Sequence, residues 1–418
     1  MPLISAYRDP AVAKRVRILY IYPGFIDETM NNEHESDIRQ SVFTRLIELG
    51  SLVLGHKIFT KVKSKLSIVR MLQRTEDVVK IMLDVLSGLP NVTDYHVTWC
   101  GLPSITATSI PFLSAVFRSN LRKLALELSL ENVRNILTSS FHIKNLEELQ
   151  LCIHANDVDV DERNVILSKH LAPAISNLRA SLHTLSIEAK EGTNLSPMFY
   201  SMQRLPALQD LTVSIPTRAP HLGDPDGFAY FLNKNHANLR RLRLRVSQLS
   251  SSDLPLDDIS FETWVRDAVC TASLPKLRML EITSQSFPPA AAEACVMRFG
   301  CWIRTLTVTG HHRAYGEIED LLDIILACHV DAPASGQHLP LERLRLGVDY
   351  LSPQLMTLFA SKLPNLQRLE LLAKYLVPHP LQRVQWSPVM KEGQNFNQIV
   401  SFTLSFISLF SISSCVTK

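Results

Sequence analysis

A short phrase, L-x-x-L-x-L, returns along most of this chain, and no other feature narrows its fold so far. It reads Val92-x-x-Tyr95-x-Val97, Leu121-x-x-Leu124-x-Leu126, Leu146-x-x-Leu149-x-Leu151, Leu182-x-x-Leu185-x-Ile187 and Leu208-x-x-Leu211-x-Val213. It continues as Leu239-x-x-Leu242-x-Leu244, Leu277-x-x-Leu280-x-Ile282, Ile303-x-x-Leu306-x-Val308, Leu341-x-x-Leu344-x-Leu346 and Leu366-x-x-Leu369-x-Leu371. These are ten copies, set 25 to 38 residues apart. Val16 to Ile21 is a degenerate earlier strand. Self-similarity at such a period marks a stack of small structural units, each unable to bury its own apolar face alone. Length agrees with that: 418 residues exceed what one ordinary core accommodates, about 250–300.

Within each copy the last two apolar positions alternate, the period of a short strand with one buried face. Between copies lie stretches with apolar residues near the helical period: Ser67–Leu86, Phe261–Val269, Ile318–Leu326 and Gln354–Leu363. One strand and one helix per unit predict an α/β solenoid, with parallel strands lining the concave side and helices on the convex side. Apolar residues at 46% and charged residues at 20% fit a folded chain. The domain plan expected is a helical or degenerate-repeat region over 1–88, irregular repeats over 89–376, a segment over 377–399 and an apolar, Ser-rich tail over 400–418.

The phrase resembles a leucine-rich repeat. In extracellular arrays of that class the ninth position is an Asn that bonds backbone along the stack. Here it reads Cys100, Ser129, His154, Lys190, Pro216, Ser247, Gln285, His311, Asp349 and Lys374, so no such ladder is expected. Variable spacing and a missing Asn ladder are similar to the divergent repeats of intracellular F-box/leucine-rich-repeat proteins, particularly the fungal sets. That resemblance implies a protein-binding array that selects clients for a cullin ubiquitin ligase. It implies Skp and cullin partners only where an F-box lies upstream. An F-box opens with a Leu-Pro pair; Leu89-Pro90 leads instead into a strand, and residues 1–88 show no leading Leu-Pro. The expectation is that the chain begins just after the place of such a box. The alternatives are a ligase-independent scaffold and a regulator of an enzyme.

Composition removes several other classes. Lys and Arg number 43 against 40 Asp and Glu, a net charge of +3, too near neutral to imply nucleic acid or membrane. The seven cysteines are scattered and never form a C-x-x-C pair, which fits reduced thiols in a cytoplasmic or nuclear protein. No apolar secretory segment opens the chain. The nineteen residues from Val400 hold one charge and six serines. They read as a membrane tail anchor, a terminal strand or, the preferred reading, an unspliced intron in the gene prediction.

No phosphate-binding glycine loop, dinucleotide fingerprint, H-E-x-x-H or G-x-S-x-G is present, and no enzyme, cofactor or metal site is expected. His311-His312 reads as a pair of surface loop histidines beside Arg313. Cys328-His329, adjacent on one helix, cannot face each other as nucleophile and base. Gly223-Asp-Pro-Asp-Gly227 reads as a turn rather than a calcium loop.

What remains is the strand face opposite the core, formed by the third, fifth and seventh positions of each copy. It carries Asp94, His96, Lys123, Glu127, Glu148, Gln150, Glu188 and Asp210 early in the chain. Thr305, Thr307 and Thr309 form a neutral stripe. From Arg241 the face turns basic, and the candidate binding residues are Arg241, Arg243, Arg245, Arg343, Arg345 and Arg368, interspersed with Glu281 and Glu370. Guanidinium groups grip carboxylates and phosphates bidentately, so the expected partner is a protein client with an acidic or phosphorylated segment. Aromatic residues do not interleave the arginines, which speaks against nucleic acid.

Overall fold

Every copy of the repeated phrase that the structure describes contributes one strand, and the strands begin at its third position. The computed structural model describes residues 9–21, 84, 88–99, 120–137, 143–154, 158–190, 193–216, 219–247, 258–284, 287–330, 340–375 and 401–406. The chain divides into two compact units, Met1–Leu182 and His183–Lys418. The expected helix at Ser67–Leu86 and the tail beyond Phe406 lie outside the described residues, Asp84 apart.

In the first unit the strands are Ile18–Ile21 (β1), Asp94–Trp99 (β2), Lys123–Ser129 (β3) and Glu148–His154 (β4), each parallel to the next. Motif positions align across them: Tyr95 opposes Leu124, and Leu124 opposes Leu149. Along β3 and β4 every second residue is buried, the alternation that the phrase predicts. Leu130–Ile136 (α1), Val160–Ile166 (α2) and Ala172–Ser176 (α3) follow the strands, with one π-helical stretch, Leu167–Leu171, joining α2 to α3. Asp159 caps α2, its carboxylate accepting from the Asp161 N–H.

The second unit repeats the plan with Thr184–Ala189 (β5), Asp210–Ile215 (β6), Arg241–Val246 (β7), Met279–Ile282 (β8), Thr305–Arg313 (β9), Arg343–Tyr350 (β10), Arg368–Tyr375 (β11) and Ser401–Phe406 (β12). All neighbours pair in parallel. Besides the four-residue helix Ala219–Leu222, the intervening helices are Ser196–Ser201 (α4), Pro225–Asn235 (α5), Asp258–Val265 (α6), Pro289–Phe299 (α7), Tyr315–Val330 (α8) and Pro353–Lys362 (α9). The three expected helical stretches Phe261–Val269, Ile318–Leu326 and Gln354–Leu363 fall on α6 with its π-helical extension, on α8 and on α9. Five of the named helices, α3, α4, α5, α7 and α9, carry proline in their first turn, where its absent N–H leaves no hydrogen bond unmade. The Gly223–Gly227 segment is a turn only at its start: Gly223 has a φ of 69°, Asp224 caps α5, and Pro225–Gly227 form the first turn of that helix.

Each unit places the apolar motif positions between sheet and helices. Leu242, Leu280, Leu306, Leu344 and Leu369 are fully buried, as are Phe228, Phe231, Phe299 and Phe359 on the helices above them. Each such side chain contributes about 1.5–3 kcal/mol of transfer free energy. A buried Asn235 on α5 ties neighbouring segments, accepting from the Leu205 N–H at 2.7 Å and donating to the Phe231 carbonyl at 2.9 Å.

Within each unit a backbone ladder runs from copy to copy in place of the missing Asn ladder. The carbonyl at the second motif position accepts from two successive N–H groups of the next copy. Arg240 and Arg241 donate to Gln209, Arg278 and Met279 to Arg240, Arg304 and Thr305 to Arg278, and Glu342 and Arg343 to Arg304, all at 2.8–3.0 Å. In the first unit Arg122 and Lys123 donate to Thr93, and Glu147 and Glu148 to Arg122. These bonds use no side chain, so the loops between copies vary in length without loss of register. The architecture is an α/β leucine-rich-repeat solenoid.

Candidate protein-binding face

The register of the second unit turns the repeated motif into rows that run across the strands. The third positions align as Asp210, Arg241, Met279, Thr305, Arg343, Arg368. The fifth positions align as Thr212, Arg243, Glu281, Thr307, Arg345, Glu370. Arg245 lies one step further along β7, beside Ser214. Buried leucines alternate with these residues on every strand, which places all six arginines on the sheet face opposite the core, as their motif positions imply.

Most of the charges on this face are matched from strand to strand. Arg241 Nη1 lies 3.2 Å from Asp210 Oδ2, and Arg243 Nε lies 2.9 Å from Glu281 Oε2. Arg345 Nε reaches Glu370 Oε1 at 3.1 Å, while Arg368 Nη2 stands 3.8 Å from the other oxygen of the same carboxylate. Arg245 and Arg343 are exposed and make no ion pair among the described residues. The face therefore differs from a uniform basic stripe. Arg241 and Arg243 are each neutralised by one carboxylate, whereas Arg345 and Arg368 share the single carboxylate of Glu370 and Arg343 has none. Arg343 and Arg368 are direct neighbours in the third row, so two like charges stand one strand spacing apart.

The acidic partners were legible from motif position. Asp210 and Arg241 both hold third positions of consecutive copies, and Arg243 with Glu281 and Arg345 with Glu370 both hold fifth positions. A list of face residues gives charges; only aligned copies give the pairs.

In the first unit Lys123 Nζ lies 2.9 Å from Glu148 Oε1, and Gln150 Nε2 donates to the same oxygen at 2.6 Å. His96 stacks on Tyr20, ring centroids 4.4 Å apart. Burial pushes the His96 imidazole below its usual range, and the nearby Lys123 ammonium adds to that.

The histidine pair departs from expectation. His311 and His312 lie within β9 rather than in a loop, because the strand continues to Arg313 past an irregularity in its pairing with β10. Gly347 permits this: a Cβ there would lie 2.6 Å from the His311 carbonyl oxygen. Burial pushes the His312 imidazole down, and its Nε2 has no hydrogen-bond partner among the described residues. Cys328 sits on α8 with its thiol donating to the Met297 carbonyl at 3.2 Å. Among the described residues no helix is long and apolar enough to cross a membrane.

No family model matches the chain. No curated protein matches it either. Among solved structures it is similar to a chain in the crystal structure of the Rad7 and Elc1 complex in yeast, at 12% identity and a TM-score of 0.38, over 84% of this chain and 96% of that one.

Proposed function

We propose that this chain is a protein-binding repeat scaffold that takes an acidic or phosphorylated client segment at Arg343, Arg345 and Arg368. The observation that supports this is the imbalance on the sheet face opposite the core: two guanidinium groups share the one carboxylate of Glu370, and a third, Arg343, stands unpaired among the described residues beside Arg368. A client carboxylate or phosphate between Arg343 and Arg368 relieves the repulsion of those neighbours and gains bidentate hydrogen bonds. Arg245, exposed on β7, extends the positive field, while Arg241 and Arg243, already paired, set its edge. Such charges orient and select a partner more than they bind it tightly; Thr305 between them is half-buried, whereas Thr307 is buried and offers little surface.

The finer reading is that the client is delivered to a ubiquitin ligase, with this chain as the recognition part of an F-box-type receptor. The sequence resemblance of the repeats supports it. The alternatives are a scaffold with no ligase and a regulator of an enzyme that carries no chemistry itself.

An array of acidic and phosphoserine peptides, probed with the purified chain and with the variant Arg343→Glu/Arg345→Glu/Arg368→Glu, tests the face. Capture by the native chain and loss in the variant support the assignment; equal capture by both removes it. Co-purification of a Skp-type adaptor with the native protein from its own cells tests the ligase reading, and its absence leaves the ligase-free scaffold.

A further inference from the structure

The repeat geometry brings together three side chains that no local spacing in the sequence connects. Glu127 on β3 and Cys152 on β4 both hold the seventh motif position and are direct neighbours in the parallel register. His154 follows two residues after Cys152 on the same strand, hence on the same face. Two positions on one strand and the facing position on the next make a compact triangle, with strands about 4.8 Å apart.

The three donor atoms converge within this triangle. His154 Nε2 lies 3.0 Å from Glu127 Oε1 and 4.0 Å from Cys152 Sγ, and all three donors lie within 4.8 Å of one another. In a tetrahedral zinc site, bond lengths of about 2.0–2.1 Å to nitrogen and oxygen and about 2.3 Å to sulfur place such ligands roughly 3.3–3.6 Å apart. The separations observed bracket that range, so small rotations of half-exposed side chains suffice. Thr98 Oγ1 donates to the second oxygen of Glu127 at 3.3 Å, which leaves Oε1 toward the triangle and orients the carboxylate as an outer partner does.

From this we infer that Glu127, Cys152 and His154 form a binding site for a divalent transition ion of zinc's class. To a metal ion the third corner adds the softest donor of the three. One thiolate, one imidazole and one carboxylate suit zinc; calcium and magnesium require oxygen donors throughout. The site lies on the open sheet face, so its fourth coordination position falls to water or to a donor from a docked partner. Binding releases the proton of the Cys152 thiol, since the thiolate is the ligand.

Cobalt(II) reports on this directly, because a bound thiolate gives it an intense charge-transfer band. The chain, stripped of metal by a chelator, is titrated with cobalt chloride and then with zinc chloride. The expected result is a band that saturates at one equivalent and is displaced by zinc, is lost in Cys152→Ser, and saturates only at higher cobalt in His154→Ala and Glu127→Gln. Thr98→Val should weaken binding by roughly tenfold or more while leaving the band's shape unchanged. Unaltered far-UV circular dichroism in the variants keeps the test separate from folding, as the substituted side chains point away from the core. Absence of the band at one equivalent overturns the proposal. So does a band that survives Cys152→Ser, or one that saturates unchanged in both His154→Ala and Glu127→Gln.

Discussion

Arg313, one of the largest fully buried side chains described, is held by Glu293 through a single hydrogen bond of 2.8 Å from its Nη1 to Glu293 Oε1. The link joins the end of β9 to the middle of α7. Arg313 Nε and Nη2 have no partner among the described residues, so this carboxylate is the main compensation for a buried cation. Glu293→Ala should therefore destabilise the second unit by about 3–5 kcal/mol. Arg313→Met, which removes the charge and keeps the volume, should cost much less. Urea unfolding of both variants separates the cases: if Glu293→Ala unfolds at the native midpoint, the pair is not what holds Arg313.

Gly347 offers a test of the strand irregularity between β9 and β10. Its added Cβ would meet the backbone oxygens of His311 and Thr309, at 2.6 and 3.3 Å. Main chain on an interior strand cannot swing aside as a side-chain tip does. Gly347→Ala should then lower stability by about 1–3 kcal/mol, through overpacking rather than through any forbidden φ. An alanine variant with native thermal stability would show that β10 shifts freely against β9.

Much of this architecture was legible because the motif position carries two kinds of information at once. The buried alternation of Leu242 with Leu244, or Leu344 with Leu346, follows from side-chain period alone. Parallel register follows from aligning copies, which is why Asp210 meets Arg241 and Glu281 meets Arg243. Three things were out of reach for local reading. The main-chain ladder through Gln209, Arg240 and Arg278 has no residue signature. The extension of β9 through His311 depends on a glycine in a different copy. Glu127, Cys152 and His154 have no close spacing along the chain as a ligand set; the first is one repeat away from the others, and a search for paired ligands along the chain passes over them.

His312 predicts a particular dependence on pH. Its imidazole sits below the ordinary value of 6.5 chiefly through burial; Lys374 and His311 also lower it, and Asp349 opposes them. The folded state thus holds fewer protons than the unfolded state in the window just below pH 6.5. Stability rises with pH there. The contribution is fully present above 6.5 and is lost as pH falls through the depressed folded value. Thermal melts followed downward from neutral pH should show a fall that His312→Gln makes shallower. Equal slopes in the two proteins would assign the acid sensitivity to other groups.

Glu370 distinguishes a docking face from a merely solvated one, because it stands where a client's anion would stand. Its carboxylate holds both Arg345 and Arg368. Exposed ion pairs of this kind contribute about 0–1 kcal/mol each, and Arg345 and Arg368 are nearly half exposed, so Glu370→Gln should change stability little. Its effect on binding should be larger and of opposite sign to that of a lost contact. Removing the internal competitor leaves Arg343, Arg345 and Arg368 without a carboxylate, and affinity for an acidic or phosphoserine peptide should increase. The salt dependence should steepen as well, since more unneutralised charge meets the ligand. Peptide titrations at two ionic strengths measure both. Weaker binding by Glu370→Gln would mean that the carboxylate positions the guanidiniums rather than competing for them, and identical binding would place the client elsewhere on the sheet.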